Sequence, residues 1–306
     1  MTRAELAIVL DRIMQYQGTC EMSFIDVGLS EWYYDSVCNL ANAGIIIGIG
    51  ENYFAPDNNL TREEAVVMIA RAFRVMEIAG ETTFRDDNDI SEWAKPLVNG
   101  MSDAQFIYAS GNRDFFPQNT ITRAEVVTML DSVVELICSV PGRYGGTDNG
   151  QPDGIPYFTN GNIVVNTGNV RIRDMMIRGD LFINNGTHID TVTLNRVRVT
   201  GRAYISGGAG SGTTDGDIIA TDCIFDDIYI ESQTNPTIVL SDNTRVSRIF
   251  LSSDCTIIYD DYTITYDLAS RTITLTDATE HGDIITTYSL VISFEDFFCE
   301  IISLGE

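Results

Sequence analysis

The side chains best placed to do chemistry are arginines set beside glutamates. Thr2-Arg3-Ala4-Glu5 recurs as Thr61-Arg62-Glu63-Glu64 and as Thr122-Arg123-Ala124-Glu125. A threonine followed three residues later by a glutamate reads as a helix capping box. Each arginine then sits in a first helical turn, where guanidinium charge and helix dipole act together on an anion. Lys95 is the only lysine, so the cations are suited to planar, bidentate contact with carboxylates. Other chemistries have less support. His188 and His281 are the only histidines and lie far apart; no H-E-x-x-H, G-x-S-x-G or phosphate-loop pattern occurs, and both read as surface or loop residues. The six cysteines, Cys20, Cys38, Cys138, Cys223, Cys255 and Cys299, form no C-x-x-C pair. Asp86-Asp87-Asn88-Asp89 and Thr214-Asp215-Gly216-Asp217 offer oxygen ligands for calcium, but neither matches a calcium loop. Both read as acidic turns, and no metal or cofactor is expected.

The elements that position these residues repeat. Phe24-Ile25-Asp26 precedes Trp32, Val37, Leu40, Gly44-Ile45-Ile46, Gly48, Phe54-Ala55-Pro56 and Leu60. At an offset of 61, Trp93, Val98, Phe115, Pro117 and Ile121 match Trp32, Val37, Phe54, Pro56 and Leu60, and Phe84-Arg85-Asp86 opens the second copy. Residues 19–78 and 79–140 therefore read as complete helix–loop–helix repeats, preceded by only the closing helix of a first. The later copy has Gln105 and Ala109 in place of Gly44 and Gly48, which predicts an altered groove.

The string F-x-D, W, G-I-I-x-G, F-x-P, L-T-R-E-E resembles the S-layer homology repeat of bacterial surface proteins, over residues 1–140. The resemblance implies all-helical repeats in a pseudo-threefold bundle whose inter-repeat grooves hold secondary cell-wall polysaccharide, often through an acidic pyruvylated sugar. It would set Arg62, Arg123 and Arg3 against the ligand carboxylate and Trp32 or Trp93 against a sugar face. Asp26, Gly44 and Gly48 would shape the groove. The plainer readings are ion pairs for the arginines and core positions for the tryptophans.

Residues 141–157 hold Gly142, Gly145, Gly146, Gly150, Gly154, Pro141, Pro152 and Pro156 and read as a linker. Beyond it Val170–Ile183, Val192–Ile205, Asp217–Ile230 and Thr237–Leu251 repeat with apolar alternation, and Gly179 falls on Gly201. A period of roughly 20–25 residues predicts a right-handed parallel β-helix over 158–258, with a β-sandwich as the alternative. Residues 259–306 read as strands that cap or extend it. The fold class expected is thus multidomain, α plus β.

At 306 residues the chain is long enough for two domains, and 44% hydrophobic residues suit a folded protein. A net charge of −25 argues against nucleic acid as a partner, and no apolar run is long enough for a membrane span. Met1 leads directly into Thr2-Arg3 with no signal peptide, so an exported form would have lost its targeting segment. The expected protein is a non-enzymatic, extracellular structural component of the bacterial cell wall or S-layer, attached to acidic wall polysaccharide. Fold analogy with β-helical lyases and hydrolases is no warrant for catalysis. The alternative is a self-assembling subunit of an S-layer or surface fibre, a homo-oligomer or polymer in which a neighbour completes the partial repeat or the terminal strands.

Overall fold

The computed structural model describes residues 1–16, 24–109, 112–146, 157–184, 190–208, 217–232, 234–241, 243–259, 262–270, 272–277, 283–285, 289–294 and 297–303. The chain forms two compact units, Met1–Val134 and Glu135–Glu306.

The first unit contains five α-helices among the described residues: α1 (Arg3–Met14), α2 (Tyr34–Asn42), α3 (Arg62–Ala72), α4 (Lys95–Asp103) and α5 (Arg123–Val133). The helices α1, α3 and α5 each begin with a complete capping box, in which Thr2, Thr61 and Thr122 exchange hydrogen bonds with Glu5, Glu64 and Glu125. The residues before these boxes close a ring. The Leu60 amide donates to the Met1 carbonyl (3.0 Å), Ile121 donates to Leu60 (3.0 Å), and the Met1 amino group donates to Ile121 (3.1 Å). Leu6, Leu10, Leu60, Ile69 and Ile121 pack the interior.

Each leading segment ends in a turn built by an aspartate. The Asp26 carboxylate accepts from the amides of Phe54 (2.9 Å) and Ala55 (2.7 Å), and Asp86 does the same for Phe115 and Phe116 (both 2.7 Å). These bonds hold Ala55 and Phe116 at φ 58°, a left-handed backbone that a carboxylate accepting two amides makes tolerable. The acidic run at 86–89 is similarly engaged: Asp87 accepts from the Thr82 amide and pairs with Lys95 at 3.2 Å. No group of three or more potential metal ligands converges among the described residues. In the second acidic run, Thr214, Asp215 and Gly216 lie outside the described residues.

The second unit is a parallel β-solenoid of about four turns, which replaces the β-sandwich alternative. Its strands are β1 (Val134–Cys138), β2 (Gly142–Tyr144), β3 (Tyr157–Thr159), β4 (Asn162–Val165), β5 (Val170–Ile177), β6 (Leu181–Ile183), β7 (Val192–Ile205), β8 (Ile218–Thr221), β9 (Ile224–Ile230), β10 (Thr237–Ser241), β11 (Arg245–Leu251) and β12 (Cys255–Tyr259). Strands β1 and β2 fall at and just after the end of the helical region, inside or beside the stretch whose glycines and prolines read as a linker; residues 147–156 of that stretch are outside the description.

Three parallel ladders run along the solenoid. One aligns Val170, Val192, Ile218, Ile238 and Ile257. The second aligns Ile177, Val199, Phe225 and Val246. The third aligns Ile163, Leu181, Ala203, Ile228, Ile249 and Ile301. All of these side chains are buried, because parallel register stacks like on like and every coil covers the apolar face of the next.

Corners are fixed by short polar ladders. Asp180 N donates to Asn162 Oδ1 and Arg202 N donates to Asp180 Oδ1, both at 2.7 Å. Gly201 sits so close to the coil below that an added Cβ would lie 2.6 Å from the Gly179 carbonyl carbon. Beyond β12 successive strands pair antiparallel, although β17 also joins β11 in parallel. β13 (Tyr262–Asp267), β14 (Thr272–Asp277) and β15 (Asp283–Ile285) follow β12, while β16 (Ser289–Phe294) pairs with β17 (Phe297–Ser303).

Candidate glycan-binding groove

The arginines of the three capping boxes are set by a ring of ion pairs that crosses from box to box. Arg3 Nη1 meets Glu64 Oε1 at 3.0 Å, Arg62 Nη1 meets Glu125 Oε1 at 3.1 Å, and Arg123 pairs with Glu5. The glutamates are the capping-box residues themselves, so each carboxylate ties the start of its own helix to the next repeat. Backbone bonding within the box, above all to Thr2, together with Arg123 holds Glu5 below the ordinary glutamate range. Bonding to Thr122 and the charge of Arg62 do the same for Glu125.

The ring surrounds chemically different arginines. Arg3 is 7% exposed, donates Nε to the Phe54 carbonyl at 2.7 Å, and lies 5.1 Å from the centroid of the Phe54 ring. Burial lowers its pKa, against the opposing charges of Glu64 and Asp26. Arg62 stands 5.3 Å from the Phe115 centroid, but its buried Nε has no hydrogen-bond partner among the described residues. Arg123 is 75% exposed.

A groove of about 450 Å³ opens where three repeats meet. Its walls include Arg3 and Glu64, the Gly48 loop with Ile47 and Ile49, Arg71 on the side of α3, and Trp93. That volume suits a small ligand. Trp93 is 53% exposed, and Ile47 and Ile49 are 65% and 55% exposed, so these three side chains stand clear of the core that Ile45 and Ile46 enter. Gly48 has φ 85°, and a Cβ there would lie 2.6 Å from the Tyr53 carbonyl oxygen, which explains glycine at this point of the loop. Gly44 has φ 72° and shapes the preceding turn; Gln105 takes the same left-handed conformation in the later repeat, at φ 61°.

A second groove, of about 310 Å³, repeats part of this design with Arg123, Glu5, Ile8, Val9 and Trp32, the last 70% exposed. It contains no counterpart of the Ile45–Ile49 loop; Val126, Val127 and Leu130 of α5 line it instead. The structure thus brings Arg3, Gly48 and Trp93 together, and separately Arg123 and Trp32. Arg62 lines neither groove, Asp26 serves the Phe54 turn, and of the five candidates in the 19–78 repeat Gly48 lines the first groove and Trp32 the second. Grooves lie between repeats, so a repeat read as a linear unit does not show which of its residues will meet.

Arg71 is the groove residue that the motif reading missed. It follows Thr61 by ten positions, as Arg12 follows Thr2, whereas α5 has Ser132 there. The Arg71 side chain makes no ion pair or hydrogen bond among the described residues, and burial lowers its pKa against the opposing charge of Glu77. A half-buried, uncommitted guanidinium beside an exposed indole is equipped to take an anionic ring compound.

Residues 23–66 match the S-layer homology domain family. The first unit carries an S-layer homology domain. Among similar proteins, the surface-layer 125 kDa protein of Lysinibacillus sphaericus is 27% identical over 146 residues, covering 46% of this chain and 12% of that protein. The S-layer protein of Bacillus thuringiensis subsp. finitimus is 29% identical over 143 residues, covering 46% and 17%. The amylopullulanase of Thermoanaerobacterium thermosulfurigenes is 32% identical over 141 residues, covering 44% and 8%. The chain thus spans less than a fifth of the length of these relatives. Their shared S-layer homology region places the protein at the cell surface, associated with the cell wall. The grooves described above lie in or beside that region.

Proposed function

We propose that the protein is a non-enzymatic surface component whose repeat region, residues 1–140, attaches noncovalently to acidic secondary cell-wall polysaccharide. The observation that carries this reading is the groove in which uncommitted Arg71 stands with exposed Trp93 and the Gly48 loop. An acidic sugar would place its carboxylate on Arg71, near the box arginine Arg3, and its apolar face on Trp93. Arg123 and Trp32 form a second, more open contact of the same kind. The same reading takes the three capping-box helices as S-layer homology repeats, and the solenoid as right-handed, the hand that strand twist favours for parallel crossovers. The solenoid then presents outward from the wall. Co-sedimentation with purified sacculi tests the proposal: retention on intact sacculi, lost once secondary polysaccharide is stripped, is expected. Equal retention on stripped sacculi would overturn it.

A second reading, assembly into a surface layer, is favoured by the terminal strands. β15 bonds only to β14, and β16 only to β17, among the described residues. Such edges accept a strand from a neighbour. Light scattering over a concentration series is expected to show growth beyond the monomer, and a constant monomeric mass would remove this reading.

A further inference from the structure

Three strands near the start of the solenoid run against the charge of the chain. β2, β5 and β7 contain Arg143, Arg171, Arg173, Arg196, Arg198 and Arg202 against one carboxylate, Asp174, in a protein of net charge −25. On β5, Val170 and Ile172 are buried, so the alternate residues Arg171 and Arg173 lie on the outer side. Arg143 on β2 is the register partner of Arg171. On β7, buried Val197 and Val199 leave Arg196 and Arg198 outside in the same way. Arg202 turns instead to the Tyr204 hydroxyl at 3.1 Å.

Two outward arginines of the solenoid are each matched by a carboxylate one coil away. Arg196 Nε and Nη2 donate to Asp174 at 2.6 and 2.8 Å, and Arg248 donates to Asp227 through the same two nitrogens at 2.7 and 2.8 Å. Arg143 has an arginine as its neighbour where these have an aspartate, across a strand spacing of about 4.8 Å at which like charges repel. The side chains of Arg143, Arg171 and Arg198 are exposed and make no hydrogen bond or ion pair among the described residues. The flanking carboxylates are engaged: Asp174 holds Arg196, and Asp222, which follows the register partner of Asn195, accepts from Asn243 Nδ2 at 2.9 Å. An aromatic ring adjoins the arginines. Phe158 on β3 is 47% exposed and in register with Met176, which is in register with Arg198.

We infer that this outer surface of the solenoid is a second binding site, for a linear glycan bearing carboxylates. Ligand carboxylates would take, on Arg143 and Arg171, the bidentate place that Asp174 and Asp227 take on their arginines. Phe158 would take the apolar face of a sugar ring. A polymer fits better than a single sugar, because the arginines and the ring are spread over four strands. The inference rests on the second unit alone and does not depend on the groove at Trp93.

The test is calorimetric titration of the full chain with an oligomer of galacturonate at low ionic strength, made in the Arg71→Ala background so that the first-unit groove does not contribute. Saturable binding is expected, weakened at least about fivefold by Arg143→Gln with Arg171→Gln, through loss of two exposed charge pairs. Neither side chain holds a hydrogen bond or ion pair, so this variant is expected to melt with the parent. The methyl-esterified oligomer, which lacks the charge, is expected not to bind. Absence of saturable binding overturns the inference, and so does binding indifferent to Arg143→Gln with Arg171→Gln or equal for the ester. Duplex DNA of matched charge binding as tightly overturns it too, because the surface would then answer to charge alone. Self-association abolished by the same two substitutions would assign the surface to a second copy of the chain and overturn the glycan as its occupant.

Discussion

Arg3 and Arg71 face one groove, and the structure assigns them opposite consequences on removal. Arg3→Ala deletes a buried hydrogen bond to the Phe54 carbonyl, an ion pair to Glu64 and a ring contact. Breaking a fully buried pair costs about 3–5 kcal/mol, but Glu64 retains 25% exposure and recovers part of its hydration. A loss of about 2–3 kcal/mol follows, equivalent to roughly 10 °C in the Tm of a unit of this size. Arg71→Ala deletes no hydrogen bond or ion pair among the described residues, so stability is expected to stay within about 0.5 kcal/mol. It does remove a charged donor for ligand carboxylate, worth about 1.5–3 kcal/mol, or roughly a 10- to 150-fold rise in Kd. Calorimetric titration with purified wall polysaccharide, paired with scanning calorimetry of each variant, separates the two effects. If Arg71→Ala binds with wild-type affinity, the groove chemistry is refuted. If it melts as early as Arg3→Ala, the contrast between a structural and an uncommitted arginine is refuted.

Three further outcomes follow from the same structure. Gly201→Ala forces a Cβ against the Gly179 backbone of the adjoining coil, and overpacking of this kind costs about 1–3 kcal/mol; the urea midpoint of the solenoid is expected to fall, and an unchanged midpoint would contradict the stacking. Burial raises the thiols of Cys138 and Cys255 to about 12 and that of Cys223 to about 11, so mass spectrometry after alkylation at pH 8 is expected to find these three unmodified until the protein is denatured. Glu5 and Glu125 titrate lower in the folded state than in the unfolded chain, so their contribution is complete above the ordinary glutamate range and lost as pH falls through their folded values. The helical unit is therefore expected to lose stability in acid, and Glu5→Gln to flatten that loss; a Glu5→Gln profile as steep as wild type would remove the ion-pair ring as its cause.

Local signals carried much of the fold. The three T-R-x-E boxes are helix starts because a capping box satisfies its own amides without help from distant residues, and the structure forms all three. The solenoid was legible because parallel register puts equal positions of successive coils in contact, so Gly179 over Gly201 and Val170 over Val192 are visible as a repeat. The tryptophans were ambiguous from sequence, since an indole suits a core or a surface equally; only packing shows Trp32 and Trp93 exposed.

What the sequence determined by itself is the set of units: capped helices, aromatic and aspartate turns, and coils whose apolar residues recur in step. Tertiary structure alone decided how those units share residues. Each box arginine closes onto the glutamate of another box, Arg71 is left without such a partner, and the box arginine that shares a groove with Trp93 and Gly48 is Arg3, from a different repeat. The physical reason is that ion pairs and grooves form between faces brought together by folding. A linear pattern records what each repeat contributes, while the closure of the ring determines what those contributions meet.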